Sequence, residues 1–147
     1  MTVHSSSQMR ATDQPSFRQW LVLGLIAAAA AILGVLIARA AALFIWPDAA
    51  LFQPLDSAVR AAIFTLAPAL LATGLLAWLA YRSADPVRTF LWISLAALML
   101  SFIPDYILPV PNRTVIASTI AAFLHVVAAA IIVPILVIGY RRMMRSA

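Results

Sequence analysis

The feature that most constrains this chain is a set of four apolar runs, each about as long as a membrane is thick. The first has no charged residue between Leu21 and Ala38, and the last, from Thr114 to Gly139, has His125 as its only ionisable side chain. About 20 helical residues cross a bilayer core of about 30 Å. The runs predict four transmembrane helices, at about 20–46, 58–80, 87–108 and 114–140.

The composition also indicates a membrane protein. Hydrophobic residues make up 65% of the chain and charged residues 10%, whereas a soluble domain is about 45–50% apolar and about 25% charged. A soluble fold could not cover that much apolar surface with polar groups. We therefore predict an all-α fold, a four-helix transmembrane bundle with short loops.

Polar segments flank the predicted membrane domain, which covers residues 20–142. Residues 1–19 lack an apolar period, so we expect a mobile cytoplasmic tail. Residues 143–147 form a short basic cytoplasmic tail. A signal peptide is an alternative for the first run, because Ala38 and Ala40 form an Ala-x-Ala pair. That run is, however, longer than the ~7–15 apolar residues of a typical signal peptide.

The distribution of arginines predicts the orientation. The basic residues are all arginines, and they account for the net charge of +5. One side of the membrane receives Arg10, Arg18, Arg82, Arg88, Arg141, Arg142 and Arg145, and the other receives Arg39, Arg60 and Arg113. Because the arginine-rich side favours the cytoplasm, we predict a multi-pass plasma-membrane protein with both termini inside. The same placement gives no reason to expect nucleic-acid binding.

His125 is the first of three candidate functional or structural polar residues. It lies ~16 Å into the last run, near the middle of the bilayer, where an ionisable group is a functional-site hypothesis by default. It could handle protons or contact a ligand, or it could hydrogen-bond across helices and fix their register. Ser94, Thr73 or a carbonyl freed by Pro68 would then be its partner. A haem-ligand role is a further alternative, but no second histidine lies in a predicted span.

Asp105 and Arg39 are the other two candidates. Asp105 follows Pro104 near the end of the third span, and Arg39 lies at a similar depth in the first. We expect them to pair, because each charge alone would be costly in lipid. Alternatively, Arg39 extends to water and Asp105 faces the loop. A His125–Asp105 pair is not expected, because the two positions differ in depth by about 11–12 Å.

Small residues recur at helical spacing in every span, and membrane helices associate through such residues. Gly24 and Gly34 belong to the stripe of the first span, which could also contact a second copy of the chain. Ser118, Ala121 and His125 belong to the stripe of the last span. The opposite, bulky face of the last span is assigned to lipid and consists of Ile116, Ile120, Phe123, Val127 and Ile131.

Missing residue types exclude several kinds of function. Without cysteine the chain has neither thiol redox chemistry nor the cysteine pairs of four-helix quinone reductases of the vitamin K type. Without glutamate it lacks the membrane-embedded Glu of small multidrug exporters. The four glycines lie in the predicted helices, so no phosphate-binding loop is expected. We predict no catalytic residue, metal site or cofactor, and no enzyme activity.

Several short motifs resemble a known family. They are Arg39-Ala40-Ala41, Arg88-Thr89-Phe90, Ser101-x-x-Pro104-Asp105, and His125-Val126-Val127-Ala128-Ala129 with Val133-Pro134. In combination, over residues 18–142, they are similar to a family of small four-helix integral membrane proteins from bacteria, mostly actinobacteria, catalogued as a domain of unknown function. The resemblance implies a fold and a membrane location, and it implies no activity.

Two functional classes follow from the sequence. We favour a non-enzymatic scaffold or partner-binding subunit, because four short helices with one buried titratable group offer little chemistry. The alternative is a small transporter or sensor that uses His125 and the Arg39–Asp105 region. The expected partners are the lipid bilayer and either a second copy or a membrane partner protein.

Overall fold

The chain forms four long helices in the computed structural model, which describes residues 15–107 and 109–146. The helices are α1 (Phe17–Ile45), α2 (Ala58–Arg82), α3 (Pro86–Ile107) and α4 (Val115–Ser146), and two 3-10 turns, Pro47–Leu51 and Gln53–Leu55, connect α1 to α2. All four helices are long and apolar enough to cross a membrane. This confirms the predicted all-α, four-helix architecture and gives the chain the form of a multi-pass membrane protein.

The outer limits of α1 and α4 extend into the predicted tails. Ser16 and Gln19 form a capping box, in which each side chain accepts a hydrogen bond from the other residue's backbone N–H. Helix α1 therefore begins at Phe17, inside the segment expected to be mobile. At the other end α4 continues to Ser146, because arginine and methionine after Gly139 are good helix formers. Residues 1–14 of the predicted tail, with His4 and Arg10, lie outside the described residues.

The helices surround a core with α1 and α3 on opposite corners. Helix α1 packs mainly against α2 and α4, and α3 packs against the same two helices. At the end of the bundle where α1 begins and α4 ends, Trp20 stacks on Tyr140 with ring centroids 5.7 Å apart. We call this the terminal end. The opposite end, with the 3-10 turns and the connection between α3 and α4, is called the loop end.

The glycines of the first span are used inside the bundle. A Cβ added at Gly24 would lie 3.0 Å from the Thr73 side chain of α2, and one added at Gly34 would overlap Ile131 of α4. Glycine at these two positions therefore lets α2 and α4 approach α1 closely. The stripe that could have joined two copies contacts α2 and α4 of the same chain.

The connection between α1 and α2 folds into the loop end of the bundle. Phe52 and Leu55 are each 1% exposed, and they share an apolar cluster with Ala117, Ile120 and Leu124 of α4. The assignment of Ile120 to lipid is therefore wrong, since this connection covers that part of α4. Val127 and Ile131 are also partly buried, since they pack against the core and lie next to Gly34 of α1. Of the five, Ile116 and Phe123 are exposed, as that assignment requires.

Candidate functional site

The two intramembrane ionisable residues of α3 and α4 lie side by side. The Nε2 atom of His125 is 3.3 Å from Oδ2 of Asp105. The Asp105 side chain is 7% exposed and the His125 side chain is 43% exposed. The carboxylate is thus buried behind an imidazole that reaches the bundle surface. The prediction that these two residues are too far apart in depth to pair is wrong.

The direction of side chains in antiparallel helices explains this pairing. Side chains of an α-helix lean toward its N-terminus. Helix α3 runs toward the loop end, so Asp105 leans toward the middle of the bundle. Helix α4 runs the opposite way, so His125 leans toward the loop end. Both side chains therefore close the gap of about 11–12 Å that was counted along the backbones.

Hydrogen bonds between α3 and α4 hold Asp105 in place. The Ser118 hydroxyl donates to the Asp105 backbone carbonyl at 2.6 Å, and Ser118 is buried. At the next residue of each helix, the hydroxyls of Tyr106 and Thr119 are 3.1 Å apart. These contacts fix the last turn of α3 against the first turns of α4. Ser118 was recognised in the sequence only as a small residue, although a hydroxyl in the buried stripe signals an interhelical hydrogen bond.

The carboxylate of Asp105 is incompletely satisfied. Its Oδ2 atom is buried and has no hydrogen-bond partner among the described residues, because the nearby imidazole lacks hydrogen-bond alignment. Buried polar atoms are normally hydrogen-bonded, and each exception calls for an explanation. Because Oδ2 of Asp105 lies 3.3 Å from Nε2 of His125, a small rotation of the imidazole ring would let Oδ2 accept a hydrogen bond from it.

Arg39 does not pair with Asp105. Its Nε and Nη2 atoms both donate to the backbone carbonyl of Leu55, at 3.0 and 2.6 Å. The pairing prediction is wrong because α1 and α3 occupy opposite corners, and because the buried connection brings an acceptor to Arg39. Since the guanidinium reaches a carbonyl within the bundle, Arg39 is a structural anchor for this connection.

The other polar contacts of the loop end also tie connections to helices. Arg60 contacts Asp56 at 2.5 Å and donates to the carbonyl of Gln53 at 2.5 Å. Asn112, which has a φ of 58°, donates to the Leu51 carbonyl at 3.2 Å. Arg113 donates to the Tyr106 carbonyl. The loop-end arginines thus donate to backbone carbonyls. His125 and Asp105 remain as the candidate functional residues.

Thr73, one of the partners expected for His125 from the sequence, is engaged elsewhere. Thr73 donates its hydroxyl to the Ala69 carbonyl of its own helix at 2.7 Å. In the part of the chain that the structure describes, no group of three His, Cys, Asp or Glu side chains could hold a metal ion. The arrangement is two titratable groups in contact, and the chemistry available to such a pair is proton transfer and charge pairing.

Comparison with known proteins identifies a family for this chain. The sequence model of a family described as "Family of unknown function (DUF6069)" matches residues 12–142. No curated protein and no solved structure matches the chain.

Proposed function

Because this protein belongs to that family of unknown function, DUF6069, we propose its role from its own geometry: a small proton-linked transporter or sensor. The observation that carries the proposal is the 3.3 Å contact between His125 and the buried carboxylate of Asp105. The proposed role is non-enzymatic, and the pair acts by exchanging a proton.

The physical chemistry of the pair supports this role. Intramembrane carboxylates and histidines commonly mark proton relays. Histidine is the side chain that ordinarily gains or loses its charge near neutral pH. The His125 side chain is partly exposed and lies 3.3 Å from the buried carboxylate of Asp105, so the two groups are placed to exchange a proton. The sequence favoured a scaffold on the premise of one isolated titratable group, and the second group removes that premise.

His125→Gln tests the proposal. Glutamine places an Nε2 donor at a reach similar to that of histidine but cannot carry a titrating proton. In liposomes with an imposed pH gradient and an internal pH dye, we expect the wild-type protein to dissipate the gradient faster than protein-free liposomes. We expect His125→Gln to lower that rate at least about tenfold while the protein stays folded.

A sensor without flux is tested on the same samples. If the protein is such a sensor, its tryptophan fluorescence should change with pH, and this change should disappear in His125→Gln. The change should persist in Ser94→Ala, which removes a half-buried hydroxyl on α3. If neither the flux nor the fluorescence change depends on His125, the proton-linked role is wrong. The scaffold role would then be the better explanation.

The scaffold role is the second candidate, and the sparse packing of α3 favours it. Among the residues that the structure describes, Phe90 and Asp105 are the only buried ones on α3. The exposed middle of this helix, including Trp92 and Leu95, is available to lipid or to a partner helix. The flux and fluorescence measurements separate the two candidates, because a scaffold does not require a titrating His125.

We also propose that both termini face the cytoplasm of a plasma membrane. The terminal end carries the larger share of arginines, as the positive-inside rule requires. The chain has no cysteine, so single cysteines can be labelled without background. In intact cells, an impermeant thiol reagent should label Pro111→Cys at the loop end and not Ala84→Cys at the terminal end. The reverse pattern would contradict this orientation.

A further inference from the structure

A groove at the terminal end separates the first turns of α1 from the last turns of α4. Val22 and Ile26 of α1 form an apolar wall, and both are about half-exposed. Gly139 of α4 lies at its floor, where a Cβ would overlap Leu23 of α1. The helices touch at this glycine, and the space between them opens toward the end of the bundle.

Two arginines from different helices line the mouth of this groove. Arg18 lies in the first turn of α1, and Arg142 lies in the last turns of α4. Both are exposed. Their guanidinium groups bring two positive charges to the groove and are of the chemical type that binds the oxygens of a phosphate.

The charges around the groove are strongly one-sided. Among the described residues, the terminal end carries Arg18, Arg82, Arg88, Arg141, Arg142 and Arg145, and its single carboxylate is Asp85. The described loop end carries Arg39, Arg60 and Arg113 together with Asp48, Asp56 and Asp105, which is an even balance. The groove thus combines two arginines with apolar walls at the end of the bundle.

We propose that this groove binds an anionic phospholipid. The headgroup phosphate lies between Arg18 and Arg142, and an acyl chain lies along Val22 and Ile26. Basic pockets between membrane helices on the cytoplasmic side are suited to such headgroups. A soluble phosphate compound would contact the two arginines but leave the apolar wall uncovered. The proposal does not involve His125 and is independent of the proton-linked role.

Native mass spectrometry of the full-length protein in detergent tests the site. Titration with phosphatidylglycerol and, separately, with phosphatidylcholine gives an apparent Kd for each lipid. We expect phosphatidylglycerol to bind at least about tenfold more tightly. Arg18→Gln and Arg142→Gln should each weaken its binding about fivefold, as expected for one arginine near an anionic headgroup. The double variant should lose the preference between the two lipids.

Arg82→Gln is the matched control, since it removes the same charge from an exposed position at the same end, outside the groove. It should change the phosphatidylglycerol Kd by less than about twofold. An equal loss in Arg82→Gln, or an unchanged preference in the double variant, would overturn the groove site. Inorganic phosphate that displaces the lipid at an equal concentration would overturn the lipid as its ligand. Circular dichroism of each variant checks that the helices are intact.

Discussion

Replacing Phe52 by alanine is expected to lower the free energy of unfolding by about 3–5 kcal/mol, the usual cost of emptying a buried phenylalanine site. Phe52 is 1% exposed and lies in the apolar cluster of the loop end, next to Leu55 and against α4. The truncation leaves a cavity between the connection and the helices. Unfolding by a denaturing detergent in mixed micelles, followed by circular dichroism, measures the difference.

Phe44→Ala provides the matched control for this change. Phe44 is 90% exposed near the loop end of α1, so the same atoms are removed from a site with few protein contacts. We expect a change of no more than about 0.5 kcal/mol. Similar losses in Phe52→Ala and Phe44→Ala would contradict the buried position of the connection.

Replacing His125 by leucine is expected to cost about 1–2 kcal/mol of unfolding free energy, in the lower part of the range for leaving a buried polar group without a partner. The lower part applies because the imidazole itself is 43% exposed. In this variant the carboxylate of Asp105 would remain buried, without the imidazole beside it. The same mixed-micelle unfolding measurement applies to this variant.

The double variant His125→Leu with Asp105→Leu distinguishes a charge pair from ordinary packing. Removing both partners avoids the stranded carboxylate, so the double variant should be more stable than His125→Leu alone, by about 1–3 kcal/mol. His125→Gln, which keeps a donor, should recover most of the loss. Additive effects of the two leucine substitutions would show that the contact between His125 and Asp105 contributes no coupling energy.

Local sequence patterns were sufficient to predict the helices and the identity of the candidate polar residues. Apolar length alone predicts four spans, and His125 and Asp105 stand out because a charged or titratable group in an apolar run is rare. The start of α2 also follows from a local pattern, because a serine directly before a helix is a good N-cap. The Ser57 side chain accepts a hydrogen bond from the Arg60 N–H at 3.3 Å.

The pairing of those residues could not be predicted in the same way. Depth counted along the backbone brought Arg39 toward Asp105 and kept His125 away, and both conclusions were wrong. The count ignores which helices are neighbours and which way their side chains lean. The connection between α1 and α2 was expected only as a short loop, but Phe52 and Leu55 are buried and Arg39 binds the Leu55 carbonyl.

The sequence by itself therefore determined that the chain forms four apolar helices, because helix length and hydrophobicity are properties of each segment taken alone. Only the tertiary structure decided that α1 and α3 lie on opposite corners, that the connection fills the loop end, and that His125 meets Asp105. Four helices of similar polarity can be arranged around one another in several ways. The choice depends on close packing at residues such as Gly24 and Gly34 and on hydrogen bonds such as that from Ser118 to Asp105.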